Sequence, residues 1–136
     1  MKKILLLLAS ATAAILVGCS SPHGAYAPAD TTKYDTENQS PFVLLSAGVA
    51  HSVTTSGVQE TRLPDGRLQV SVNVRNREER RIEVQINCEF KDAQGFTVDA
   101  TPFQVLILRE LEQQTVQFIS MNNKAVRYTI RVSESH

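Results

Sequence analysis

The residues able to do chemistry in this 136-residue chain are few: three histidines, two cysteines, one histidine–serine pair and a group of arginines. His23, His51 and His136 each lack a second ligand two or four positions away, so none belongs to a metal-binding pattern. His51-Ser52 places a base beside a hydroxyl. No nucleophile elbow surrounds Ser52, however, and a serine in such a polar stretch reads as a loop residue. Cys88 falls on the apolar parity of a strand, between Ile86 and Phe90, where burial raises the thiol pKa and makes it inert core. Gly57, Gly66 and Gly95 are isolated turn glycines and form no phosphate-cradling loop. Arg75, Arg77, Arg80 and Arg81 form a candidate binding patch, since planar guanidinium forks pair bidentately with phosphates and carboxylates. Glu78 and Glu79 lie among them and Glu83 follows, which favours a self-paired group. These residues predict no catalytic site, no metal, no cofactor and no small-molecule substrate.

Cys19 is different, because its neighbours define its chemistry. Met1-Lys2-Lys3 is a cationic start and residues 4–17 are apolar or small. That run is shorter than the roughly 20 residues a membrane-crossing helix needs, and it fits a secretory signal. Leu16-Val17-Gly18-Cys19 then resembles the lipobox of bacterial lipoproteins. The resemblance implies cleavage before Cys19, a diacylglycerol on its thiol and acylation of the new amino terminus. Several acyl chains, at about 0.8 kcal/mol per buried methylene, make such an anchor effectively permanent. Ser20 follows the cysteine where an aspartate would favour inner-membrane retention in enterobacterial lipoproteins. The expected place is therefore the outer membrane, facing the periplasm.

Composition bounds the rest. The chain holds 14 Lys+Arg and 14 Asp+Glu, no Trp and 2 Cys. Removing residues 1–18 takes Lys2 and Lys3, leaving twelve basic against fourteen acidic side chains, a net charge of −2. A nucleic-acid binder would show a basic excess, and a disulfide scaffold or zinc ribbon needs more cysteines. Residues 19–41 are rich in Ser, Pro, Ala, Thr and Asp without hydrophobic period, and predict a disordered tether carrying the lipidated cysteine. A flexible linker of this length spans about 25 Å. Tyr26 and Tyr34 read as solvated tether residues.

From Phe42 onward the pattern is that of strands, giving a domain over residues 42–136. Leu68, Val70, Val72 and Val74 alternate with polar residues, as do Ile82, Val84, Ile86, Cys88 and Phe90, then Val126, Tyr128, Ile130 and Val132. Asn76-Arg77-Glu78-Glu79-Arg80 has hairpin length. Pro64-Asp65-Gly66 marks a turn preceded by a strand at about 59–63, and Asp92-Ala93-Gln94-Gly95 marks another. Phe103-Gln104-Val105-Leu106-Ile107-Leu108 is apolar on both parities. It predicts a doubly buried strand, a turn and a further strand over Thr115–Ile119, the alternative being a helical turn near residues 109–113. About seven short strands predict an all-β fold, an immunoglobulin-like antiparallel β-sandwich. With Cys19 lipidated, Cys88 has no disulfide partner.

Val72-Asn73-Val74-Arg75-Asn76, the Asp92-x-x-Gly95 turn and the aromatic Phe90 two residues before it, together with lipobox and tether, resemble the YcfL-like lipoproteins. These are small bacterial outer-membrane proteins with an uncharacterised immunoglobulin-like domain. The resemblance implies the fold and the envelope location and supplies no reaction. The reading that follows is a non-enzymatic, lipid-anchored module that supports a periplasmic protein partner through a strand edge or hairpin. Direct binding of peptidoglycan or lipopolysaccharide is the alternative.

Overall fold

The computed structural model describes Glu37 and residues 40–136. The expected signal segment 1–18, with Leu16, Val17 and Gly18 of the expected lipobox, lies outside the described residues, as do Cys19 and residues 20–36, 38 and 39 of the expected tether. Among the described residues eight strands and one short helix form two facing sheets, so the expected all-β sandwich is the fold. The larger sheet contains β1 (Phe42–Leu44), β4 (Ile82–Lys91), β5 (Thr97–Ala100), β6 (Gln104–Leu108) and β8 (Arg127–Glu134). The smaller contains β2 (Val53–Arg62), β3 (Leu68–Asn76) and β7 (Gln113–Ile119), with β3 in the middle.

Strand β4 organises the larger sheet. One of its edges pairs with β8 from Val84 to Lys91, and the other is shared end to end by β6 and β5. Its Ile82, Val84, Ile86, Cys88 and Phe90 point inward and meet Leu68, Val70, Val72 and Val74 of β3 in one continuous core. The period-two alternation read from the sequence is thus the pleat itself, with apolar parity facing the other sheet.

Two turns form as their residue types require. At the β2–β3 hairpin, Gly66 takes φ 88° and the Arg67 N–H bonds Asp65 Oδ1 at 3.1 Å. At β4–β5, Gly95 takes φ 90°, while Asp92 Oδ1 accepts from the Gln94 and Phe96 N–H groups, both at 2.9 Å. Only glycine adopts that backbone region without strain.

Three expectations need correction. Residues 76–80 do not close a hairpin, because β3 and β4 lie in different sheets; the segment carries the chain across the sandwich. Residues 104–108 are a strand, but an edge strand buried on one face: Leu106 and Leu108 are inside while Phe103, Val105 and Ile107 are exposed. Both parities are apolar for different reasons, one for the core and one for the surface. Between β1 and β2 the chain forms a helix, α1 (Ala47–Ser52), where Ser52 was expected to lie in a loop. Ser46 caps it by accepting from the Val49 N–H at 3.4 Å, and the buried Val49 is its apolar anchor. Alternation could not reveal so short an element. At Gly48 the helix lies beside the exposed Glu134 side chain of β8, whose flexible carboxylate end would have to swing aside to admit a methyl group.

The crossings between sheets are tied by polar side chains. Asn76 is fully buried; its Nδ2 donates to the carbonyls of Arg80 (2.7 Å) and Arg109 (2.8 Å), and its Oδ1 accepts from the Glu78 N–H (2.9 Å). It holds the β3–β4 crossing and the β6–β7 turn together. That turn includes Leu111 at φ 54°, whose N–H bonds the Glu78 carbonyl at 3.0 Å. At the opposite end Ser120 exchanges bonds with Leu68, and the Met121 N–H donates to Asp99 Oδ2 at 2.6 Å. Asn76→Ala should lower the unfolding free energy by about 2–3 kcal/mol, since it strands buried backbone groups at roughly 1–3 kcal/mol each. Urea denaturation measures this, and a loss below about 1 kcal/mol would contradict the role given to Asn76.

Candidate functional site

The structure divides the four arginines. Arg75 projects from the outer face of the smaller sheet, opposite Thr54 and Gln113. Arg77 is exposed, and its backbone N–H bonds the Ser52 carbonyl at 2.8 Å. Arg80 pairs through Nε with Glu78. Arg80 and Arg81 line one hollow of about 390 Å³. The same hollow contains Glu83 and Glu134, so two carboxylates answer its two guanidinium groups. Such a site does not concentrate anions.

The His51-Ser52 pair is also drawn into structure. Ser52 ends α1, is buried, and donates its hydroxyl to Glu78 Oε1 at 2.6 Å. That hydrogen bond, and next the Arg80 guanidinium, hold the Glu78 carboxyl below its ordinary range. A carboxylate whose pKa is lowered is a weaker base, so the contact suits a tie between α1 and the sheet crossing. Cys88 is fully buried and its thiol is pushed up to about 12, by burial first and then by Asp99 and Glu89. Among the described residues no three potential metal ligands are grouped.

Sequence reasoning missed the surface formed by β6. Ile107 stands opposite Glu83 and Val105 opposite Gln85, on the outward face of the larger sheet. Val105 is 58 % exposed, Ile107 43 % and Phe103 41 %, and together they form an apolar stripe. The strand pairs with β4 on one edge; at its other edge the Gln114 Nε2 donates to the Ile107 carbonyl at 2.8 Å. No charged residue occurs in β6. Edge strands ordinarily carry charge, proline or a bulge that discourages pairing with another chain, and β6 has none of these within it. The available signal was the six-residue run itself: two half-buried sheets leave too little core for a strand apolar on both parities.

Arg131 fixes the start of this stripe. Its guanidinium lies 5.7 Å from the Phe103 ring centroid, and it reaches Glu37 (3.1 Å) and Glu89 (3.3 Å). The Glu37 carbonyl also accepts from Lys91 Nζ (3.2 Å) and Thr129 Oγ1 (2.6 Å). A residue assigned to the tether is therefore clasped onto the outer face of the larger sheet.

Comparison with known proteins adds the following. A family model described as a protein of unknown function (DUF1425) matches residues 41–134. The fold is similar to the crystal structure of a DUF1425 family member from Shewanella sp. pv-4, with 24% identity and TM-score 0.56 over 62% of this chain and 79% of that one. It is similar also to Campylobacter jejuni cj0090, with 14% identity and TM-score 0.59 over 70% of this chain and 98% of that one. At these identities the likeness is one of fold. No curated protein matches the chain.

Two measurements check the electrostatics. Because the Glu78 pKa is lowered in the folded protein, its stabilising contribution is present above the ordinary carboxylate range and is lost as pH falls through the lowered value. Thermal melts of Glu78→Gln should therefore show a shallower loss of stability between about pH 7 and pH 3 than the parent; superimposable acid profiles would contradict the pairing. In a Cys19→Ala background, Cys88 should react with an aromatic disulfide reagent only at the rate of global unfolding. Rapid labelling of the native protein would show the thiol to be accessible.

Proposed function

The chain belongs to the DUF1425 family, proteins of unknown function, and from its own residues we propose that it is a non-enzymatic, lipid-anchored envelope module that faces the periplasm and holds a protein partner. The anchoring half of this reading rests on Leu16-Val17-Gly18-Cys19 after its cationic and apolar leader, and on the likeness to YcfL-like lipoproteins. The partner half is carried by one observation, the uncharged edge strand β6 with outward Phe103, Val105 and Ile107.

The occupant that suits this edge is an extended, uncharged segment of another protein, rich in β-branched or aromatic residues. Main-chain hydrogen bonds would extend the larger sheet by one strand, and alternate side chains of the added segment would lie beside the apolar stripe. A charged segment would lose hydration against Val105 and Ile107 with nothing in β6 to compensate. The lipid anchor raises the local concentration of the module at the membrane, so a contact of modest affinity suffices there.

Cys19→Ala should abolish acyl labelling and release the protein from the membrane fraction; unchanged labelling would overturn the lipoprotein assignment. For the edge, a photo-crosslinking residue at position 105 should give a discrete protein adduct in intact envelopes. The same residue at position 117, on the other sheet, should not. Ile107→Lys should remove the adduct without changing the melting temperature. Adducts that persist in Ile107→Lys, or that contain only lipid, would refute the edge contact.

A further inference from the structure

The outward face of the smaller sheet differs in charge from the outward positions of β4 and β8 on the larger. On the larger sheet the outward positions of β4 and β8 include Glu83, Glu89, Lys91, Arg127 and Arg131. Among the outward positions of β2, β3 and β7, Arg75 alone is charged, although the chain holds 14 basic and 14 acidic side chains. The centre of the face consists of two cross-strand rows, Gln59–Ser71–Gln117 and Gly57–Asn73–Thr115. Five of these six lie around one shallow hollow of about 350 Å³, Gln117 standing beside it.

Carboxamides and hydroxyls each both donate and accept hydrogen bonds, and are less costly to strip of water than ions. Such a face matches a ligand that is itself neutral and dense in hydroxyl or amide groups. The groups are partly pre-set. Thr115 Oγ1 donates to Asn73 Oδ1 at 2.7 Å, which directs the Asn73 carboxamide and leaves its two N–H donors unused by that bond. Gln117 Nε2 donates to Ser71 Oγ at 3.4 Å, which leaves the Gln117 oxygen as an acceptor. Gly57 supplies the floor: nothing lies within 4 Å of where a Cβ would stand, so a flat ring can approach the backbone. Neighbouring strands are about 4.8 Å apart, close to the length of one pyranose unit with its linking oxygen.

We infer that this face binds an uncharged β-linked glycan, its chain running across the three strands and its hydroxyl or acetamido groups bonded to Gln59, Ser71, Asn73 and Gln117. The inference goes beyond the strand-edge contact and uses a different sheet. Two glycan classes share this chemistry, with and without acetamido groups, and the test separates them.

The experiment titrates the ¹⁵N-labelled mature chain, in detergent, with a β-1,4 tetrasaccharide of N-acetylglucosamine and with one of glucose. The expected result is saturable shifts of the Gln59, Asn73 and Gln117 side-chain amides. Preference for the first sugar assigns an acetamido glycan, and equal response assigns recognition through hydroxyls alone. Ser71→Lys and Gln117→Glu should each weaken binding at least tenfold with an unchanged melting temperature. Ile107→Lys should leave it unaltered, so this inference and the edge contact can fail separately. Absence of amide shifts with both sugars up to about 10 mM would overturn the proposal, as would shifts confined to another face.

Discussion

Both sheets depend on what becomes of the backbone where the chain leaves one and enters the other. A strand end inside a sandwich exposes N–H and C=O groups that its sheet no longer pairs and that water cannot easily reach. Asn76 resolves this at one end with a single carboxamide, whose three bonds join the exit from β3 to the turn before β7. Ser52 and Glu78 extend the same polar layer to α1. No apolar residue of similar size could replace it, because shape would be kept and the carbonyls of Arg80 and Arg109 would lose their donor.

That requirement explains why the exposed surfaces differ in character. Polar side chains capable of several bonds tie the sandwich ends, where Glu78 pairs with Arg80 and the Glu112 carboxylate accepts from the Arg109 backbone N–H. The two outer faces are then free to differ. One has an apolar stripe on β6, started by Phe103 under the Arg131 guanidinium; the other has carboxamides and hydroxyls around Gly57. A module with two chemically distinct faces is able to hold two kinds of partner without competition between them.

Much of this architecture was legible in the residues. The apolar parities of β3 and β4, and both Gly-containing turns, follow from side-chain alternation and the φ each turn requires. The Val-x-Val-x-Asn pattern also had a physical meaning, since its last residue, Asn76, is the buried carboxamide at the crossing. What stayed hidden was sheet membership. Residues 76–80 have the length of a hairpin loop, and length does not distinguish a turn within one sheet from a bridge between two. The β6 face was hidden for a related reason: Val105 and Ile107 resemble core residues until it is known that no described residue buries them on that side. The carboxamide face was visible only as the wet side of a strand, because its meaning depends on which three strands lie together.

The parallel pairing of β1 with β8 has a mechanical consequence. The Ile130 N–H bonds the Pro41 carbonyl and the Leu45 N–H bonds the Val132 carbonyl, while Glu37 is clasped just upstream. The two strands run the same way, so their free ends emerge from opposite ends of the sheet. A pull on the amino terminus against the carboxy-terminal end of β8 would slide β1 along its neighbour and load these bonds together. A hairpin pulled at its open end instead unzips one bond at a time. The short first strand thus behaves as a shear joint, and the fold meets traction from its N-terminal side in its stiffer direction.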